Sequence, residues 1–149
     1  MVRKKITPIA EDIVIELLKD LVPEGGGIGT NRGAVEHEYI TLAELEEAGP
    51  LKSNDYILVH REGGFLYYDR VTDIVNLTIS VFTKDERRSQ ELMIKITDRM
   101  VESVEEDVLG FPYDFCEILS GPELQTTWTM DDRVVEKVFQ IHIRPKWED

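Results

Sequence analysis

Three histidines, one cysteine and a surplus of carboxylates are the side chains of this 149-residue chain whose types suit catalysis or metal binding. His37, His60 and His142 fall in separate strand-like segments, without the spacing of a metal-ligand set. His60 and His142 fit the polar face of a strand. Cys116 stands between Phe115 and Ile118-Leu119. An attacking thiolate needs exposure and activation, and this apolar run predicts a buried, inert thiol. A single cysteine closes no intramolecular disulfide. Paired carboxylates can exchange protons with a substrate. Those here (Glu44, Glu46, Glu47; Glu102, Glu105, Glu106, Asp107; Asp131, Asp132) read as solvated helix surfaces and turns. Gly25-Gly26-Gly27-Ile28-Gly29 suggests a phosphate cradle. It follows a helical pattern with no strand before it, lacks the third glycine of the dinucleotide pattern, and is not followed by Gly-Lys-Ser/Thr. The expectation is a protein without enzymatic activity, catalytic residues, metal or cofactor.

Charge narrows the partners. The formal net charge is −13. A duplex-gripping surface needs clustered Lys and Arg to displace counterions, and an acidic chain lacks that driving force. Arg3-Lys4-Lys5 and Arg87-Arg88 are the local exceptions and read as solvated charge. The basic start has no apolar stretch behind it, so no signal peptide is expected. No apolar run reaches the roughly 18–20 residues of a membrane helix. The expected folding compartment is a reducing cytoplasm. Asn76-Leu77-Thr78 has the form of a glycosylation site, without meaning in a chain that is not secreted.

The elements that would position any site follow from periodicity. Thr7 as cap and Pro8 at the first helical position predict a helix carrying Ala10, Ile13, Val14, Leu17, Leu18 and Leu21 on one face, ended by Pro23. Residues 24–36 read as a flexible glycine-rich loop. His37–Ile40 reads as an edge strand and Leu42–Ala48 as a short helix opened by Thr41 and Glu44. Tyr56–Arg61 and Phe65–Tyr68 around Glu62-Gly63-Gly64 predict a hairpin. Ile74–Phe82 alternates, with Val75, Leu77, Ile79 and Val81 on one face and Asn76, Thr78 and Ser80 on the other.

A second box, Thr83 with Glu86, opens a long helix to about Asp107, its apolar stripe Met93, Ile96, Met100, Val101 and Val104. Phe115–Leu119 reads as a short strand, Gly121-Pro122 as a bend, and Leu124–Trp128 as renewed pairing. Val134–Ile143 reads as the last strand, with Phe139, Ile141 and Ile143 on one face. Strands gather in runs and do not alternate regularly with helices. This predicts one α+β domain over residues 1–149: a mainly antiparallel mixed sheet flanked by an N-terminal helix and one long amphipathic helix.

The order of these features resembles the tail terminator family of long-tailed bacteriophages, which includes lambda-like and mycobacteriophage-like members. The resemblance rests on Pro8-Ile9-Ala10-Glu11-Asp12, the glycines from Gly25 to Gly29, Gly63-Gly64, the strand from Asp73 to Phe82 and the helix from Glu86 to Glu106. Ser120-Gly121-Pro122 and Ile141-His142-Ile143-Arg144-Pro145 complete it. It covers almost the whole chain, and order and spacing carry it more than any one motif.

The resemblance implies a structural virion protein at the tail–neck junction, assembled in the host cytoplasm. It implies a homo-oligomeric ring, a hexamer, that caps the tail tube, stops its polymerisation and offers a joining surface to the head. The implied partners are further copies of the chain, the major tail tube protein and the head–tail connector or neck proteins. DNA would pass through the channel without specific binding. Another neck or head-completion protein, or a small cytoplasmic adaptor unrelated to phage, are the alternative readings. Loops at sheet ends are free to reach a neighbour, and exposed aromatics are favoured interface anchors. The expected oligomer or tube contacts are therefore Gly27, Gly29, Arg32, Gly63, Gly64, Arg70 and Trp128.

Overall fold

The computed structural model describes residues 4–22, 27–30, 55–66, 73–124 and 134–148. Alternating apolar residues decide the centre of the fold. In β4 (Asp73–Phe82) Val75, Leu77, Ile79 and Val81 are fully buried on one face. In β7 (Val134–Ile143) Val135, Phe139, Ile141 and Ile143 are buried on the matching face. The two strands pair antiparallel over their whole length, from Asp73 opposite Ile143 to Phe82 opposite Val134. Such strands are half-solved by their own pattern, because a one-residue slip would turn every apolar side chain away from the core.

Among the described residues, this pair lies in a six-stranded mixed sheet in the order β2-β3-β4-β7-β6-β5. It adds β2 (Gly27–Thr30), β3 (Tyr56–Leu66), β5 (Asp107–Val108) and β6 (Phe111–Leu124). All its ladders are antiparallel except β2 with β3. A separate two-stranded piece joins the ends of the chain, β1 (Lys4–Ile6) against β8 (Lys146–Glu148).

The two α-helices among the described residues cover the same face of the sheet. Helix α1 (Ala10–Leu18) contributes Ala10, Ile13, Val14, Ile15, Leu17 and Leu18, and α2 (Glu86–Glu102) contributes Leu92, Met93, Ile96 and Met100. They meet Ile57, Val59, Tyr113 and the inward residues of β4 and β7 in one core. Arg99 of α2 ties the helices together. Its Nη1 donates to the Leu17 carbonyl at 2.9 Å and to Asp20 Oδ1 at 2.7 Å. A cation thus meets the carbonyl end of α1, where the helix dipole is negative.

Several expectations are corrected. Helix α1 is capped by the Ile9 backbone without any side-chain bond, so Thr7 is not its cap and Pro8 precedes its first turn. Glu11 and Asp12 stand in that turn, on the side of the dipole that favours acid. For α2 the cap is Asp85, whose Oδ1 accepts the Arg88 N–H at 2.7 Å. Thr83 instead donates its hydroxyl to the Asp85 carbonyl and shares a hydrogen bond with Ser89. Helix α2 stops at Glu102, short of Asp107, and Val101 points to solvent while Leu92 and Ser89 fill the inner stripe.

The glycine-rich loop expected over 24–36 gives way at Gly27–Thr30 to strand β2, held parallel to Tyr56–Val59. No hairpin turns at Gly63-Gly64: β3 runs straight through to Leu66 beside β4 and absorbs Glu62 in a bulge. Likewise β6 continues through Gly121-Pro122 as one 14-residue strand with three register shifts. The expected strand at 37–40, the helix at 42–48 and the pairing beyond Leu124 lie outside the described residues.

Candidate functional site

The side chains most suited to chemistry are dispersed by the fold. Among the described residues no group of three His, Cys, Asp or Glu side chains comes together in a way that would hold a metal. Cys116 is half-buried against the core, and burial pushes its thiol above the usual range, the direction opposite to activation. His60 sits on β3 opposite Thr78, and His142 sits on β7 opposite Ile74 and Phe115. By strand alternation these lie on the sheet face turned away from the helices. The His142 and Phe115 rings stack at 4.5 Å, and burial pushes the His142 pKa down, against the pull of Asp114 and Glu117.

That face also carries a ladder of polar pairs. Ser80 Oγ donates to Glu136 Oε1 at 2.9 Å, and Gln140 Nε2 donates to Asn76 Oδ1 at 3.1 Å. Between them Thr78 is 6% exposed, and among the described residues its Oγ1 has no hydrogen-bond partner, nor have His60 Nδ1 and His142 Nε2. Sequence alternation foresees the polar character of this face but not its burial.

Charged pairs brace the structure at its corners. Arg61 grips Asp73 with two parallel bonds of 2.9 and 3.0 Å, locking the bulged part of β3 to the start of β4. Arg144, just after β7, pairs with Asp114 on β6. Arg88 reaches Asp55 at the head of β3, and Arg87 pairs with Glu91 on the surface of α2. The two arginines that read as a basic cluster are therefore both engaged with carboxylates.

Of the expected contact residues, Gly27 and Gly29 lie in β2 and Gly63 and Gly64 in β3. The fold brings these four to one end of the sheet, β2 being its outermost strand there. Arg32, Arg70 and Trp128 lie outside the described residues. The opposite end carries what sequence reasoning passed over. Strand β5 covers only Phe111 and Pro112 of β6, and Tyr113 bonds through its backbone to Glu105 and Glu106. Beyond Tyr113 no strand among the described residues pairs with the outer side of β6. On that stretch Phe115, Ile118 and Leu119 are 39, 41 and 45% exposed. The signal in the sequence is the apolar run itself, which by periodicity alone does not tell a buried strand from an exposed edge.

A family model described as phage tail termination protein matches residues 7–149. The chain belongs to the phage tail termination protein family. No curated protein matches it. The match takes in every described element from α1 to β8. Membership makes the chain a structural protein of tail completion, a virion component that meets other parts of the tail and head. No helix among the described residues is long and apolar enough to cross a membrane.

Proposed function

We propose that the chain forms a ring, six copies around, that caps the phage tail tube at the tail–neck junction. The ring stops tube polymerisation and presents the surface to which the head and its neck proteins attach. The family match over residues 7–149 carries this reading. The fold supports it, since one sheet has a glycine-bearing end and an apolar end, and unlike ends suit a head-to-tail contact that closes by rotation.

The protein acts by shape and contact, not by catalysis. It forms one domain over residues 1–149, and its contacts use Gly27, Gly29, Arg32, Gly63, Gly64, Arg70 and Trp128. With a net charge of −13 per copy the channel lets DNA pass without holding it. Tube protein polymerised with and without the purified chain tests the reading by electron microscopy. Tubes of bounded length with a ring at one end support it. Unbounded tubes at saturating concentrations of the chain contradict it.

A further inference from the structure

Among the described residues, the outer side of β6 beyond Tyr113 is a strand edge with apolar side chains on it. Its backbone beyond Tyr113 offers N–H and C=O groups to another strand, and natural proteins usually blunt such an edge. Here the blunting leaves one regular stretch. The ladder with β7 shifts register between Tyr113 and Phe115, between Ile118 and Ser120, and between Ser120 and Glu123, where Gly121-Pro122 lies and the proline removes a donor, but it runs unbroken from Phe115 to Ile118. The part from Phe115 to Leu119 has no proline and exposes Phe115, Ile118 and Leu119. At the far end of the same sheet the rim is built differently. Among the described residues, strand β2 covers only Tyr56–Val59 of β3, and the rim from β2 onto the rest of β3 contains Gly27, Gly29, Gly63 and Gly64. Glycine in a strand marks a place where another backbone can come close. One rim exposes apolar bulk, and the other is rich in glycine.

We infer that residues 115–119 of β6 form a strand-to-strand contact with a second copy of this chain, seated on the β2–β3 rim of that copy. The occupant is a second copy because both rims belong to one chain and end the same sheet. Joining them extends the sheet from subunit to subunit, and each copy keeps one rim of each kind. Such a contact is heterologous and has no built-in two-fold stop, so it closes only as a ring. The inference rests on the ring reading and assigns the sheet edges as its joint.

Two measurements test it, both in wild-type-length protein assembled on tube ends. In a Cys116→Ser background, one tagged copy carries Ile118→Cys and a second, differently tagged copy carries Gly29→Cys or Gly63→Cys. A short thiol cross-linker should join the two tags. Separately, Ile118→Lys places an unpaired charge in the joint. It should lower ring yield about tenfold or more while leaving the thermal midpoint of the monomer unchanged, because Ile118 is not in the monomer core. If wild-type rings form but the tags stay unlinked and Ile118→Lys assembles normally, the edge joint is wrong and the ring reading stands. If position 118 links within one monomer or to tube or neck protein, the second-copy assignment is overturned. If the wild-type chain forms no ring at all, both fall together.

Discussion

The Arg88 guanidinium holds the Asp55 carboxylate where three elements meet. Its Nη2 donates to Asp55 Oδ2 at 2.8 Å and its Nε to the same oxygen at 3.2 Å. Asp55 also accepts the Gly27 N–H through its backbone carbonyl at 3.1 Å. One residue therefore joins the start of α2, the head of β3 and the start of β2. The Asp55 side chain is 5% exposed and that of Arg88 41%.

Removing the cation leaves a buried carboxylate without its partner. Arg88→Ala should cost about 1–3 kcal/mol in urea denaturation, below the full figure for a wholly buried pair because solvent reaches the guanidinium. The double variant Asp55→Ala/Arg88→Ala should lose less than the sum of the two single changes. Strict additivity would show that the pair contributes nothing.

Lys137 gives a second, opposite case. It lies buried on β7 beneath α2, and its Nζ donates to Thr97 Oγ1 at 2.8 Å. Burial pushes its pKa down. Thr97→Val removes the acceptor and should destabilise by about 1–3 kcal/mol. Lys137→Met removes the charge itself and should be neutral or stabilising, since Thr97 still donates to the Met93 carbonyl. Equal losses from both variants would contradict this.

Leu109 and Gly110 form the two-residue connection between β5 and β6, with φ of 54° and 83°. Both positive angles mark a type I′ turn, for which Asn-Gly is the favoured pair and leucine a poor first member. Leu109→Asn should raise stability by up to about 1 kcal/mol in chemical denaturation. A loss would mean that the exposed Leu109 side chain makes a contact of its own.

Protonation of His142 should weaken the fold. Its native pKa lies below the ordinary histidine value because burial outweighs the pull of Asp114 and Glu117 from β6; Ile74 faces it from β4. As pH falls below about 6.5 the unfolded chain takes the proton first, so stability drops until the native imidazole also titrates. Thermal midpoints between pH 7.5 and 5 should show this fall, and His142→Gln should flatten it. An unchanged slope in that variant would assign the effect elsewhere.

What the sequence shows of this fold depends on how local each signal is. The alternation in β4 is complete within the strand, and that in β7 is broken on its inner face only by Lys137, so both strands are legible almost to the residue. The Gly63-Gly64 pair has the composition of a turn, yet β4 offers partners all the way to Leu66, and the ladder carries β3 through with a bulge. The same holds for Gly121-Pro122, tolerated because the ladder with β7 skips both residues between Ser120 and Glu123 and resumes after them. Strands β1 and β8 have no pattern of their own and pair because the fold brings the chain ends together. Of the expected contact residues, Gly27, Gly29, Gly63 and Gly64 fall at one end of the sheet, whereas the apolar edge of β6 becomes visible only once strand order is known.

The central claim is that copies of this chain close into a ring on the end of the tail tube. Each copy carries −13, so separate subunits repel one another, and salt or divalent cations that screen this should favour assembly. Native mass spectrometry with negative-stain microscopy, at low and high salt and with and without tube protein, measures it directly. Rings of six copies that grow more abundant with salt, and more so when tube ends are supplied, are the predicted result. A stable two-fold dimer that forms no ring under any of these conditions would contradict the account.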